Sequence, residues 1–124
     1  MNILLDTHAF LWFESADSRL SKTAKEAIQN PENIKYISIA SFWEIVIKNG
    51  IGKLQIDSSF EELFHLSGYR HLSVSFYHLE KLRNLTNHHK DPFDRLIISQ
   101  GIVDLMPVVS IDENFDNYDV RRIW

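Results

Sequence analysis

The chain has 124 residues, a formal net charge of -4 and no cysteine, and 44% of its residues are hydrophobic. Such a length makes one domain spanning residues 1–124, with room for a real core but not for two. The composition excludes disulfides, thiolate metal sites and cysteine nucleophiles. It also argues against a protein that coats long stretches of nucleic acid, though much less against an enzyme that touches a few phosphates.

No apolar run approaches the roughly 18 residues of a membrane span, so a soluble protein without membrane contact is expected. The start, Met-Asn-Ile-Leu-Leu-Asp, carries neither the basic region nor the small-residue cleavage site of a signal peptide. A cytoplasmic, reducing setting is the matching expectation, which the lack of cysteine permits.

Asn2 to Leu5 predicts a first strand, running straight into a short apolar helix over residues 8–13. Ser21 caps a second helix with apolar positions at helical spacing, broken by Asn30-Pro31-Glu32-Asn33. Tyr36 to Ile39 reads as a strand. Ser41 then starts a helix carrying Trp43 and Ile45, with Glu44 as the reciprocal member of a capping box, and Gly50 and Gly52 end it. An amphipathic helix is predicted over Ser59 to Leu66, a short strand over Leu72 to Val74 and a helix over Tyr77 to Leu85.

Asp91-Pro92-Phe93-Asp94 starts the next helix, with Asp at the cap and Pro at the first helical position. It is expected to run to about Leu105 and stop before Pro107. Val108 to Ile111 reads as a buried strand and Asp119 to Ile123 as a final edge strand. Strands alternating with helices predict a parallel sheet covered on both faces, whose functional crevice lies at the carboxyl ends of the strands.

The acids sit at the edges of these apolar runs. Asp6 closes Ile3-Leu4-Leu5, Glu44 lies beside Trp43, Asp94 precedes Leu96-Ile97-Ile98, and Asp112 closes Val108 to Ile111. Neighbouring strands would bring such acids together. Two unit charges about 4 Å apart repel by about 4 kcal/mol at an effective dielectric near 20, so a cluster of this kind calls for a cation. Oxygen donors without cysteine or paired histidine suit Mg²⁺ or Mn²⁺ rather than zinc or copper.

Four stretches together resemble the PIN-domain ribonucleases, and within them the bacterial VapC-type toxins. They are Leu4-Leu5-Asp6-Thr7-His8, Trp43-Glu44-Ile45, His89-Lys90-Asp91-Pro92-Phe93-Asp94-Arg95 and Val109-Ser110-Ile111-Asp112. The resemblance implies a three-layer α/β/α sandwich with a central parallel sheet. It also implies Mg²⁺- or Mn²⁺-dependent hydrolysis of RNA, a cognate antitoxin and a homodimer. Asp6, Glu44, Asp94 and Asp112 match the family's acids, and Asp91 is a second candidate for the third position.

Each residue also has a plainer reading. Asp6 and Asp91 suit helix caps, Glu44 a capping box, Asp94 the helix dipole and Asp112 a turn. Thr7 and Ser110 suit local backbone bonds. Arg95, Lys48 and His89 are candidates for phosphate contact against the commoner fate of a surface group. His65, His71 and His78 lack metal spacing and are expected at the surface or partly buried. Phe10, Trp12 and Phe13 are expected to pack in the core.

Two rivals are set against a nuclease. A phosphatase using Asp6 as nucleophile fits poorly, because haloacid-dehalogenase-like enzymes need Asp-x-Asp and His8 occupies the second place. The other is a catalytically inactive PIN-fold module that binds RNA or protein.

Overall fold

The computed structural model describes residues 1–55, 62, 65 and 68–124. Five strands form one sheet in the order β3-β2-β1-β4-β5, every pair parallel. They are β1 (Asn2–Leu5), β2 (Ile34–Ser38), β3 (Tyr69–Leu72), β4 (Val108–Val109) and β5 (Arg122–Ile123). The described helices are α1 (Thr7–Glu14), α2 (Lys22–Gln29), α3 (Ile39–Gly50), α4 (Phe76–Arg83) and α5 (Pro92–Val103), followed by a 3₁₀ turn over Glu113–Asn117. None is long and apolar enough to cross a membrane. The helix expected over Ser59 to Leu66 falls almost wholly outside the described residues.

The central strand explains the layers. Ile3, Leu4 and Leu5 are all fully buried, as a strand covered on both faces demands. Ile3 and Leu5 pack with Ala9, Phe10, Ala24 and Ile28 from α1 and α2. Leu4, between them in sequence, points the other way and packs with Leu96, Ile97 and Ile98 of α5. The result is the expected α/β/α sandwich. Gly101 lets α5 lie close to the sheet: a Cβ there would stand 2.9 Å from Val108 Cγ2 and 3.0 Å from Val120 Cγ2.

The chain leaves β1 for β2 and β3 on one side, then returns to β4 and β5 on the other. That reversal opens a crevice beyond the carboxyl ends of β1 and β4. Asp6 directly follows β1, and Asp112 lies just past β4.

Several boundaries differ from expectation. The second strand runs to Ser38, whose side chain accepts the Ala40 N–H at 3.0 Å and caps α3. The same Ser38 hydroxyl donates to Gln100 Oε1 at 2.5 Å, tying the end of β2 to α5. Ser41, the expected cap, is inside the helix, where its Oγ accepts a hydrogen bond from Thr7 Oγ1 at 3.0 Å. Glu44 is therefore no capping-box partner. The third strand lies at 69–72 rather than 72–74, because it pairs in register with Lys35 to Ser38. The last two strands are only two residues each.

Candidate active site

Three of the acids are placed by the same local device. Asp6, Asp91 and Asp112 are N-caps, and in each Oδ1 accepts a backbone N–H. The donors are Ala9 at 2.8 Å, Asp94 at 3.0 Å and Asn114 at 2.9 Å. Capping fixes these side chains at helix starts, where partial positive charge favours carboxylates. Because β1 and β4 are paired neighbours, the caps that follow them face one crevice. Ser110 links them: its hydroxyl bonds the Asp6 side chain and accepts the Asp112 N–H at 3.0 Å.

Asp94 stands at the centre of the cluster. Burial pushes its carboxyl up to about 8, reinforced by the charges of Asp91, Asp6, Glu44 and Asp112. Asp6 is buried and is pushed up to about 6, chiefly by loss of water, with Glu44 adding repulsion. Hydrogen bonds from Ser110 and Ala9 and the charge of His8 oppose that rise. The structure thus brings Asp6, Glu44, Asp91, Asp94 and Asp112 into one electrostatic neighbourhood.

Glu44 comes from the middle of α3 and is buried. Its Oε2 pairs with Lys48 one turn on, at 2.6 Å. Its Oε1 is buried with no hydrogen-bond partner, alone in this respect among side-chain oxygens and nitrogens of the described residues. A buried carboxylate oxygen left bare costs free energy unless something else meets it. An oxygen donor in that position, beside further carboxylates, fits a hard divalent cation.

His89 belongs to the same constellation. Its Nε2 lies 2.6 Å from Asp112 Oδ2 and 3.1 Å from Asp94 Oδ2. The three side chains present ligand-type atoms within 4.8 Å of one another. The sequence offered His89 as a phosphate contact or a surface group; Asp94 stands five residues on in the same run, but Asp112, its nearer partner, lies in a distant part of the chain.

The other cation candidates are engaged differently. Arg95 donates to the carbonyls of Thr86 (2.9 Å), His89 (3.1 Å) and Leu85 (3.1 Å), so it clamps the loop before α5. Lys48 pairs with Glu44. His78, expected at the surface or partly buried, is buried and faces Asp104 at 2.7 Å. Phe10 is core as expected, whereas Trp12 and Phe13 are half-buried. Next to the acids lies a cavity of about 510 Å³, lined by Thr7, His8, Trp12, Arg19, Lys48 and Lys53 among others.

The sequence matches the PIN domain family over residues 3–121. The chain is a member of the PIN domain family. PIN domains are typically nucleases, and such nucleases generally use divalent metals. No curated protein sequence matches it. Among solved structures, the fold is similar to VapBC-1 from nontypeable Haemophilus influenzae, with TM-score 0.73, 15% identity, and 98% of this chain and 96% of that chain covered. It is also similar to VapBC2 from Rickettsia felis bound to a DNA fragment from their promoter, with TM-score 0.65, 17% identity and both chains fully covered. A toxin-antitoxin complex from Klebsiella pneumoniae matches with TM-score 0.65 and 18% identity, over 94% of this chain and 92% of that one. At these identities the likeness is one of fold.

Proposed function

We propose that this chain is a Mg²⁺- or Mn²⁺-dependent endoribonuclease of the VapC type, the toxin of a toxin–antitoxin pair. The carrying observation is Asp94, whose carboxyl is raised by burial and by four other acids, Asp91 at the cap of its own helix and Asp6, Glu44 and Asp112 from other elements. Such a group is costly to ionise until a cation joins it. Asp6, Glu44, Asp94 and Asp112 would hold the ion, with Asp91 capping α5 and adding negative charge beside Asp94.

When bound, the cation supplies a Lewis acid for the phosphate, a more acidic water and a counter-charge for the leaving oxygen. The chain's own residues supply position. The capped Asp6 and Asp112 are fixed by backbone bonds, and the Lys48 pair leaves Glu44 Oε1 as the oxygen without a partner. Water attacks phosphorus in line, the P–O3′ bond breaks, and the departing oxygen takes a proton. The products are a 5′-phosphate and a 3′-hydroxyl, with no covalent enzyme intermediate. Lys53 and Arg19, the latter paired with Asp17, line the adjoining cavity and bring positive charge toward neighbouring phosphates.

The likeness in fold to toxin-antitoxin complexes supports a cognate antitoxin as partner. Exposed apolar side chains along α3 (Trp43, Val46 and Ile47) and at its C-cap (Ile51) support a homodimer. The test is end-mapping of RNA after brief expression of the protein in a bacterial cell, alongside Asp6→Asn. Discrete new 5′-phosphate ends are expected with the wild type and none with the variant. Equal fragments from both would remove the acid site from the reaction. Absence of fragments, with a metal-induced rise in Tm retained, would favour a binding module.

A further inference from the structure

His89 has two features that a surface histidine lacks. The first is a fixed tautomer. Its Nδ1 accepts the Asp91 N–H at 3.2 Å, so in the neutral ring the proton sits on Nε2. The Nε2–H then points at Asp112 Oδ2, 2.6 Å away, with Asp94 Oδ2 at 3.1 Å. A protonated Nε2 donates a hydrogen bond and offers no lone pair to a metal.

The second is a built surround. The His89 N–H donates to Tyr118 Oη at 2.7 Å, and its carbonyl accepts from Arg95 at 3.1 Å. The imidazole meets Phe115 edge-on, with ring centroids 6.0 Å apart. Backbone and ring are therefore both held before any ligand arrives. Meanwhile Asp112 Oδ1 is occupied by the Asn114 N–H. A donor on Oδ2 sets the rotation of the carboxylate and leaves that oxygen's second lone pair for another partner.

We propose that His89 is a positioning residue, whose Nε2–H fixes the Asp112 and Asp94 carboxylates in the orientation that receives the divalent cation, without ligating it. This rests on the metal-nuclease reading above. Carboxylate ligands commonly need such partners, and losing one weakens metal binding or activity by about 10–100-fold. Arg95 acts one step further out, by clamping the loop that carries the imidazole.

The test is titration of the purified full chain with Mg²⁺ and with Mn²⁺, read as the rise in Tm and as heat of binding. His89→Ala, His89→Asn and His89→Gln are compared with wild type. Gln extends an amide N–H to about the place of Nε2, whereas Asn stops near Nδ1. Expected is a loss of about 10–100-fold in cation affinity for Ala and Asn, with Gln recovering most of it. Affinity unchanged or improved in Ala would show a ring that merely fills space between acids. Gln as weak as Ala and Asn would make the imidazole itself a ligand. Either result overturns the proposal. Should Ala fail to fold, the contrast between Gln and Asn decides. If the wild type itself shows no cation binding, the metal reading fails and this proposal with it, whereas binding that Asp6→Asn abolishes and His89→Ala leaves intact overturns this proposal alone.

Discussion

Helix α5 has an imidazole–carboxylate pair at each end, and the two pairs are near copies. At its C-terminal end, His78 Nδ1 accepts the Ser75 N–H at 3.0 Å and Nε2 faces Asp104 Oδ2 at 2.7 Å. At its N-terminal end, His89 Nδ1 accepts the Asp91 N–H at 3.2 Å and Nε2 faces Asp112 Oδ2 at 2.6 Å. Local geometry does not distinguish them. Their surroundings do. Asp104 is the C-cap of α5, where the helix dipole disfavours a carboxylate and a donor from His78 offsets it. Asp112 belongs to the group of acids around Asp94. An identical contact thus serves to close a helix end in one place and to orient an acid in a cluster in the other.

The largest expected difference lies in catalysis. Asp112→Asn should lower metal-dependent RNA cleavage by more than about 100-fold, beyond the usual effect of a partner one step from a metal. Asp104→Asn should leave the rate within about twofold, because its pair lies at the far end of the helix. Assay of both on one RNA at saturating Mg²⁺ checks this. Comparable losses would mean that the two ends work as one unit.

Stability should reverse the ranking. His78→Ala removes a buried ring, strips a donor from Asp104 and leaves the Ser75 N–H without its acceptor. A cost of about 2–3 kcal/mol follows, readable in urea denaturation, with the Mg²⁺-induced rise in Tm unchanged. A weakened Mg²⁺ response would join His78 to the site.

The acids gathered at the N-terminal end also set a pH dependence. Without metal, folded Asp94 and Asp6 hold protons up to about pH 8 and about pH 6, while the unfolded chain releases them near 3.8. The folded state binds the extra protons between these limits, so stability falls as pH rises from about 4 to about 8. The fall from pH 5 to pH 8 should exceed about 1 kcal/mol, since a tenfold difference in proton affinity between folded and unfolded chain corresponds to about 1.4 kcal/mol. Saturating Mg²⁺ should flatten it, and Asp94→Asn should reduce it without metal. Stability that climbs over this range in the metal-free protein would contradict the crowding of acids around Asp94.

Much of this arrangement was legible in the sequence because capping is local. Asp6, Ser21 and Asp91 each announce a helix a few residues ahead, and the structure places all three at caps. The apolar runs likewise gave the sheet and its two covered faces. What escaped depends on distant partners. Ser38 and Ser41 offer equal local signals, and the choice is made by the pairing of β2 with β3 and by Thr7, which engages Ser41. His78 looked like a surface or partly buried residue because Asp104 lies 26 positions away, and His89 looked like a surface group or a phosphate contact because Asp112 lies 23 away. The gathering of acids was expected from strand ends. The orphaned Glu44 Oε1 was not, since it follows from how α3 packs.

The smallest expected effect concerns the loop between the two pairs. Arg95 holds the carbonyls of Leu85, Thr86 and His89, all in the segment joining α4 to α5. Lysine carries the same charge but cannot fork across several acceptors. Arg95→Lys should therefore keep the fold at a cost of about 1 kcal/mol and weaken Mg²⁺ affinity only a few-fold, less than the 10–100-fold expected on losing the imidazole donor. The His78 pair, anchored by Ser75 within α4's own cap, should not respond. Ring resonances of the two histidines, followed with and without Mg²⁺, check both halves: a shift at His89 alone is expected. If His89 stays put and cation affinity is untouched, Tyr118 and Phe115 suffice to hold the ring, and the arginine of the Asp-Pro-Phe-Asp-Arg run serves only the loop.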